Sequence, residues 1–582
     1  MNTNSLQIIV IIVIVILTCI YVYVRNKKNA AAAIERRITK EWGNIPSKKY
    51  TSDSYSNISH YFRNSTGVPA HVIDDITWND LGMDDIFRLI NNTYSSTGQE
   101  YLYKLLRTPC AEEDSLKEFG TLADIFGTDE ALRKSMQRAY MKLGTSRNIS
   151  VSDYLEVITG LEPESNAKHY AGWAAIAASF ALLAFSPAAG IVAICIVIGY
   201  IVVSYYKCKA QIDPYLACVN HILKLDECSS DVISVISSHD GLEDYVTQLS
   251  QLHHTMAADL KGSGILGASS GLDGSVAAML LDYVRILTHL DIIRFNKMIK
   301  KIALHKEQVF LMMELLGRLE SAIAVASFRQ YLDSNNGWCE PGLSHSSIRL
   351  NAEGLYHPLI NNPVANSIDE EHCVLITGSN ASGKSTFLKT IAINAILAQT
   401  IYTCTAASYS AGYYRIYSSM ALRDDISRSE SYYMAEIRSL KRIMDAARQQ
   451  DSCPVLCFID EVLRGTNTAE RIAASAQILK DMAGRRVLCF AATHDIELTE
   501  LLESCYSNYH FQEEVLDNDV KFNYRLYTGR AASRNAIKLL SIMGYDDAII
   551  ASAEQMASDF IKTGKWRNIC CLLYTSPSPR DG

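Results

Sequence analysis

Two stretches of the chain are apolar and free of charge over lengths that match a membrane span. The first, residues 6–24, reads LQIIVIIVIVILTCIYVYV and is followed by Arg25, Lys27 and Lys28. A helix of about 20 apolar residues crosses a bilayer, and flanking basic residues favour the cytoplasmic side. We therefore predict an uncleaved transmembrane anchor over residues 1–28, with the rest of the chain in the cytoplasm. A cleaved signal peptide is the alternative.

The second stretch is residues 170–206, where no charged residue occurs and Ser186, Pro187 and Gly190 interrupt the apolar pattern. Proline and glycine at such a place indicate a turn between two helices. The pattern predicts a transmembrane hairpin, which would make the protein a multi-pass membrane protein with both ends of the hairpin in the cytoplasm. A hairpin buried inside a soluble domain is the alternative.

The other residues before 341 divide into a linker and a helical domain. Residues 29–75 mix charged residues with Ser and Tyr, show little periodicity and are predicted to be a linker. From residue 76 apolar residues recur at helical spacing, so residues 76–340 are predicted to form an all-α domain that contains the hairpin. Its segment 286–332 has no proline and is predicted to be one long helix.

After residue 340 the pattern changes to short apolar runs separated by helical segments. The runs at Val374–Thr377, Val455–Asp460 and Val487–Asp495 predict buried strands, so residues 341–566 are predicted to form an α/β domain. Residues 567–582 show no periodicity and their end looks like a translated cloning adapter. We predict a non-native tail there and leave it out of the fold.

Composition narrows the function only slightly. Hydrophobic residues make up 48% of the chain, which is high for a soluble protein, and the net charge is −8. There is no overall basic character, so a nucleic-acid surface would have to be a local patch. The fifteen cysteines are scattered without zinc-binding spacing and are predicted to be reduced thiols in a protein that faces the cytosol.

The first α/β strand leads into a phosphate-binding loop, G-x-x-x-x-G-K-[ST], followed by a helical pattern. Glycines in such a loop let backbone N–H groups face the phosphates, while Lys384 reaches the β and γ phosphates and Ser385 offers its hydroxyl to Mg²⁺. The residues predicted to bind the nucleotide are Gly378, Ser379, Asn380, Ala381, Ser382, Gly383, Lys384, Ser385 and Thr386.

The second and third strands supply the expected acidic and sensing groups. VLCFID ends at Asp460 and is followed by Glu461, a pair in which one acid holds Mg²⁺ and the other polarises water. We predict that Asp460 is the metal ligand and that Glu461 is catalytic. The third strand presents His494 where a γ-phosphate sensor would lie.

Four segments in this order resemble the ATPase domain of the MutS mismatch-repair family: GSNASGKSTFLKT, SESYYMAE, FIDEVLRGTNT and AATHDIELT. The resemblance implies an α/β P-loop NTPase of the ABC type with ATP and Mg²⁺ as cofactors, preceded by an all-α lever domain that begins near residue 76. It also implies a homodimer through the ATPase domain. In that dimer Ser431 would complete the partner's nucleotide site, and Asn467 would lie in a loop that crosses the interface.

Two further segments carry the resemblance. In NPVANSI, Asn366 is implied to lie near the adenine, but Pro363 and Val364 stand where the family often has an aromatic residue, so base selectivity is not implied. Residues 524–557 resemble the C-terminal helices that close the ATPase dimer.

The resemblance leaves two functions open. About 50 residues separate the anchor from the lever, too few for a mismatch-recognition domain of ordinary size. Members of the family have a DNA-binding clamp inserted in the lever domain, and the uncharged hairpin occupies the comparable place in this chain. We therefore expect a membrane-anchored MutS-type ATPase without the mismatch-recognition domains that acts on DNA or a DNA structure. The alternative is a membrane ATPase that serves a protein or envelope task without DNA, with protein partners that the sequence does not identify.

Overall fold

The structure is a computed structural model. It describes residues 3–64, 71–146, 150–161, 164–260, 276–379, 382–420, 432–449, 453–464, 466–516, 519–531, 537, 540 and 544–566. The chain folds into two compact units, which we describe one at a time. The first contains residues 1–343 and 393–408, and the second contains residues 344–392 and 409–582. The predicted boundary between the helical and α/β domains lies at residue 340, and residues 393–408 fall in the first unit.

The first unit is helical. Its helices are α1 (Thr3–Glu41), α2 (Ser52–Asn64), α3 (Asp75–Leu81), α4 (Met83–Ile90), α5 (Ser96–Arg107), α6 (Glu113–Thr128), α7 (Glu130–Leu143), α8 (Val151–Gly160), α9 (Ala167–Phe185), α10 (Pro187–Ile236), α11 (Glu243–Leu260), α12 (Val276–Thr288), α13 (Leu290–Leu304) and α14 (Lys306–Asp333).

The predicted linker is wrong over much of residues 29–75. Helix α1 continues to Glu41, and α2 packs against α5 and α8. Ile38, Ile58 and Tyr61 are buried in these helices. Burial of these few apolar side chains stabilises helices whose own periodicity is weak, because tertiary packing contributes most of a short helix's stability.

The two-helix pattern predicted for residues 170–206 is present as α9 and α10. Ser186 has extended backbone and Pro187 begins α10, which is where the prediction placed the turn. Helix α10 then runs on to Ile236, well past the apolar segment. Among the described residues one helical stretch, Pro187–Asp213, is long and apolar enough to cross a membrane by length and composition.

The single long helix predicted for residues 286–332 is wrong, since α12, α13 and α14 replace it. The first break is at His289, whose φ of 51° lies in the left-handed region. Its ring holds the break in place, because Nε2 lies 3.0 Å from the carbonyl oxygen of Ile201 and Nδ1 lies 2.8 Å from Nδ1 of His169. The second break is at His305.

A buried carboxylate joins α14 to the start of α5. Glu320 is 1% exposed and accepts hydrogen bonds from the backbone N–H groups of Tyr94 and Ser95 and from the Ser95 hydroxyl. The same hydroxyl caps α5 by accepting from the N–H of Gly98. These bonds satisfy donors that a helix start leaves unpaired.

The rest of the chain alternates strands and helices. The elements are β1 (Pro341–Ser344), β2 (Leu350–Leu355), β3 (Asn366–Glu370), β4 (Cys373–Thr377), α15 (Lys384–Thr400), β5 (Ser408–Gly412), β6 (Arg415–Ser419), α16 (Tyr432–Arg448), β7 (Val455–Asp460), α17 (Thr468–Ala483), β8 (Val487–Thr493), α18 (Ile496–Leu501), β9 (Tyr506–Leu516), β10 (Asp519–Thr528) and α19 (Asp547–Thr563).

A six-stranded mixed sheet in the order β10-β9-β4-β8-β7-β6 forms the centre of the second unit. Strands β9, β4, β8, β7 and β6 pair in parallel, and β10 pairs antiparallel with β9. The three strands predicted from the apolar runs are almost wholly buried. Strands covered on both faces have this continuous apolar character. One face packs Leu375, Cys457 and Cys489 against residues of α16 and α17.

The start of the segment that resembled the C-terminal helices is a strand instead. Tyr524–Thr528 lie in β10, and the later part of the segment contains α19. Phe522, Tyr524 and Leu526 alternate with polar residues, a period of two that is typical of a strand. This hairpin of β9 and β10 places aromatic side chains next to the phosphate-binding loop.

Candidate functional site

The predicted site residues meet because β4, β8 and β7 end at one edge of the sheet. The register pairs Thr377 with Thr493 and Asp460 with Ala492. The loops that follow these strands therefore start side by side. They contain the phosphate-binding loop, Glu461 and His494. This edge, beyond the carboxyl ends of parallel strands, is where α/β sheets bind ligands.

The phosphate-binding loop needs glycine at both of its ends. Gly378 has a φ of 145° and Gly383 a φ of 107°. A Cβ at Gly378 would lie 2.7 Å from the carbonyl oxygen of Phe511, so no other residue fits without a shift. Ser382 closes the turn by donating its hydroxyl to the carbonyl oxygen of Ser379 at 2.8 Å. Asn380 and Ala381 lie outside the described residues.

Lys384 begins α15 and folds back over the loop. Its ammonium donates to the carbonyl oxygens of Gly378 and Ser379, each at 2.7 Å. Burial lowers the pKa of Lys384 to about 8, even though Asp460 and Glu461 act in the opposite direction. Two of the three ammonium donors are thus held by the loop, and the group is partly desolvated before any phosphate arrives.

One cavity of about 650 Å³ collects the predicted phosphate and metal residues. Ser385 and Thr386 are exposed to it at the first turn of α15, and Asp460 and Glu461 approach from the end of β7. Its complete lining is Ser379, Gly383, Lys384, Ser385, Thr386, Asp460, Glu461, Arg464 and Tyr524.

Two side chains, those of His494 and Arg464, contact the carboxylate of Glu461. His494 Nε2 lies 2.8 Å from its Oε1, and Arg464 Nε lies 2.7 Å from its Oε2. The hydrogen bond from His494, together with the charge of Arg464, lowers the pKa of Glu461. The residue also has a φ of 61°, a conformation that costs energy for a side chain other than glycine. Such strain at the end of a strand is frequent in active sites.

Glu436, the last residue of the SESYYMAE segment, contacts the loop that follows β7. Its carboxylate is buried and accepts a hydrogen bond from the backbone N–H of Arg464 at 3.2 Å. Burial raises the pKa of Glu436. The carboxylate therefore joins α16 to the loop that positions Arg464. Ser431, the catalytic residue expected from the partner subunit, lies outside the described residues.

A second cavity, of about 400 Å³, adjoins the first and shares Gly383, Thr386 and Tyr524 with it. Pro363, Val364 and Asn366 line it, and so do the aromatic residues His357, Phe387, Phe511 and Tyr524. An aromatic wall is therefore present, although Pro363 and Val364 do not provide it. Phe511 of β9 and Tyr524 of β10 contribute to it.

Asn366 positions Tyr524. Its side chain donates to the carbonyl oxygen of Tyr524 at 3.0 Å and accepts from the N–H of Leu526 at 2.8 Å. These bonds hold a bulge in β10 at which Tyr524 has a φ of 53°. With this backbone, Tyr524 lines both cavities. Asn467, predicted for a dimer interface, caps α17 by accepting from the N–H of Ala469.

The donor set suits Mg²⁺. The ion prefers hard oxygen ligands, usually one or two carboxylates together with phosphate oxygens and water. Ser385 and Asp460 offer a hydroxyl and a carboxylate to the same cavity. No group of three or more His, Cys, Asp or Glu side chains among the described residues could hold a metal ion, so phosphate and water would supply the other ligands here.

Comparison with known proteins agrees with this geometry. The family model "MutS domain V" matches residues 374–561, which contain all four motifs. The C-terminal part of the chain is therefore similar to the MutS family. It is similar to DNA mismatch repair protein MutS 2 of Haloarcula marismortui, with 31% identity over 189 residues that cover 32% of this chain and 20% of the relative.

Two other MutS relatives show the same partial coverage. DNA mismatch repair protein MutS of Natronomonas pharaonis is 28% identical over 276 residues, which are 45% of this chain and 31% of that protein. MutS of Rickettsia felis is 33% identical over 205 residues, which are 34% and 23% of the two chains. This chain therefore matches less than a third of the length of each of these relatives.

Sequence reasoning missed three residues of the site. Arg464 lies three residues after Glu461 inside a motif that was recognised, and Tyr524 belongs to an alternating pattern. Glu513 accepts a hydrogen bond from the Ser379 hydroxyl at 2.9 Å. The alternation of apolar residues along β10 could have identified Tyr524. No local signal marked Glu513, whose role depends on the pairing of β9 with β4.

Proposed function

We propose that the second unit is a P-loop NTPase domain of the ABC type that binds ATP with Mg²⁺ and hydrolyses it. The observation that carries this proposal is the cavity shared by Lys384, Ser385, Asp460 and Glu461. Lys384 binds phosphate oxygens, and Ser385 and Asp460 hold the metal ion. Bound Mg²⁺ would neutralise charge on the phosphates. Glu461 orients the attacking water and accepts its proton, and His494 keeps the carboxylate in place.

Two variants test these roles separately. Lys384→Ala should abolish ATP binding, because it removes the buried cation of the phosphate site. Glu461→Gln should bind ATP normally and fail to turn it over, because the amide cannot accept a proton. Glu497→Gln, an exposed position on α18, is the matched control and should behave as wild type. Equal single-turnover rates for wild type and Glu461→Gln would refute the catalytic role.

The dimer belongs to the same proposal. We propose that two chains close on ATP and that Ser431 of each chain completes the site of the other, as the resemblance to MutS implies. A mixture of Lys384→Ala and Ser431→Ala chains then contains one complete site per mixed dimer, and ATPase activity should return with increasing protein concentration. Inactive mixed dimers, verified by cross-linking, would contradict a role of Ser431 in the partner's site.

A role on DNA is supported by the names of the relatives, which are DNA mismatch repair proteins. We propose a function related to DNA mismatch repair or to the processing of a DNA structure. Duplex and branched DNA should bind with an affinity that falls steeply with salt, because each neutralised phosphate releases a counterion. If neither duplex nor branched DNA binds at low salt, a function without DNA is favoured.

A membrane location is favoured by the surface of α9 and α10. Phe185 is 88% exposed and Val203 is 69% exposed, and neighbouring apolar side chains are also uncovered. Lipid would cover them, so we propose a multi-pass membrane protein with the ATPase domain in the cytoplasm. This location also suits the second candidate function, a membrane ATPase with protein partners.

Removal of residues 1–28 should leave the chain in the membrane fraction, because the hairpin at residues 170–206 remains. A soluble monodisperse product would refute the transmembrane assignment of that hairpin.

A further inference from the structure

The helical unit contains a cavity of about 680 Å³ that the proposed ATPase function does not use. Helices α1, α2, α5 and α7 contribute to its walls, together with the segments that follow α1 and α7. This volume falls in the range of sites for small organic ligands. Its lining is mixed, with apolar residues such as Ile34 and Met141 beside many polar groups.

Three basic side chains line this cavity, and they differ in how they are held. The ammonium of Lys48 donates to Asn91 Oδ1 at 3.1 Å and to Thr93 Oγ1 at 3.2 Å, which leaves one of its three donors. Arg37 pairs with Glu41 at 2.9 Å, a contact that engages only its Nε. Lys49 is exposed at the cavity. Burial lowers the pKa of Lys48 to about 7, so a bound anion would favour its charged form. The described lining contains a single carboxyl group, that of Glu100.

That carboxyl group is unusual. Glu100 is 2% exposed, and among the described residues its Oε2 atom has no hydrogen-bond partner. Burial raises the pKa of Glu100 well above its usual range, which favours the neutral acid. A buried polar atom without a partner costs free energy unless a ligand or water satisfies it. Glu100 thus offers a hydrogen-bonding group to a ligand without adding a full negative charge.

Two tyrosine rings complete the site. Tyr50 and Tyr94 line the cavity, and the Arg37 guanidinium lies 5.5 Å from the centre of the Tyr94 ring. Aromatic faces stack on planar rings, and cations bind phosphate oxygens. We propose that this cavity binds a small organic phosphate of mononucleotide size, with Lys48, Lys49 and Arg37 at the phosphate and Glu100 at a polar group of the ring. A free metabolite and the headgroup of a phosphate-bearing lipid share this chemistry.

Titration calorimetry on the full chain in detergent tests the site, in a Lys384→Ala background so that the phosphate-binding loop contributes little. The probes are inorganic phosphate, guanosine 5′-monophosphate, and mixed micelles of detergent and phosphatidylcholine with and without phosphatidic acid. Lys48→Met should weaken binding of the phosphate probes by about tenfold or more, since it removes a buried amine that a bound phosphate would hold in its charged form. Glu100→Gln should weaken binding of the nucleotide more than that of inorganic phosphate.

Lys40→Met is the matched control, because Lys40 is exposed on α1 and does not line the cavity. It should leave every affinity unchanged. If Lys48→Met does not fold, as judged by circular dichroism, the exposed Lys49→Met should still weaken phosphate binding. Binding only to mixed micelles that contain phosphatidic acid, lost in these variants, would assign the site to lipid. No binding of any probe, or equal losses in Lys40→Met, would overturn the proposal.

Discussion

His494 Nε2 lies 2.8 Å from Glu461 Oε1, so the end of β8 supports the acidic residue that follows β7. Glu461 has no regular strand or helix to hold its side chain, and its own backbone is strained at a φ of 61°. The backbone N–H of Glu461 also donates to the carbonyl oxygen of Ala492 at 2.9 Å. Both contacts come from one neighbouring strand, which makes His494 a positioning residue for the proposed general base.

Substitution of His494 should lower turnover without much effect on ATP affinity. His494→Ala should reduce kcat by about tenfold to hundredfold, the usual cost of losing a residue that orients a catalytic group. The acid limb of the pH profile should also move to higher pH, because the hydrogen bond that lowers the pKa of Glu461 is lost. His494→Gln retains an amide donor and should recover part of both effects. An unchanged kcat in His494→Ala would exclude the positioning role.

Nucleotide affinity should depend on pH through Lys384. Its pKa is lowered to about 8 by burial, so the free site loses its ammonium charge as the pH rises through that value. Phosphate favours the charged form, and ATP binding near pH 8 should therefore take up a fraction of a proton. Calorimetry in buffers of different ionisation enthalpy measures this uptake. In Lys384→Arg the guanidinium stays charged, so the residual affinity should be flat between pH 7 and about 9.

Tyr524 should contribute to nucleotide affinity as a stacking surface. Tyr524→Ala should weaken ATP binding by about 1–3 kcal/mol, the usual value for one base on one aromatic ring. Tyr524→Phe keeps the ring and should bind as wild type. The measurement is the Kd of a fluorescent ATP analogue together with the Kd of inorganic triphosphate. Tyr524→Ala should weaken the binding of the ATP analogue only. An equal loss of affinity for inorganic triphosphate would show that the substitution disturbs the phosphate-binding loop instead.

Gly98 should not tolerate a larger side chain. A Cβ there would lie 2.1 Å from Oε2 of Glu320, whose carboxylate is fixed by Tyr94 and Ser95. Gly98→Ala should lower the free energy of unfolding by about 1–3 kcal/mol, as overpacking of a rigid site does. Gly127→Ala is the matched control on α6, where a Cβ would have nothing within 4 Å. It should be neutral or slightly stabilising. Urea unfolding of the two variants compares them, and equal stabilities would contradict the clash.

The sequence alone determined the features that depend on neighbouring residues. Continuous apolar runs placed β4, β7 and β8, because strands covered on both faces leave no polar alternation. The spacing of Gly378, Gly383 and Lys384 predicted a phosphate-binding loop, and the two glycines adopt positive φ values that only glycine adopts cheaply. The turn at Ser186 and Pro187 was also predicted from local chemistry.

The tertiary structure decided every relationship between distant parts of the chain. Asn366 and Tyr524 are 158 residues apart, and their contact exists only because β10 joins the sheet next to β9. The supposed linker is helical because its few apolar side chains are buried, and the supposed long helix breaks where His289 bonds to α9 and α10. Local patterns report propensity and periodicity, whereas these features depend on free energy gained from contacts between segments far apart in sequence.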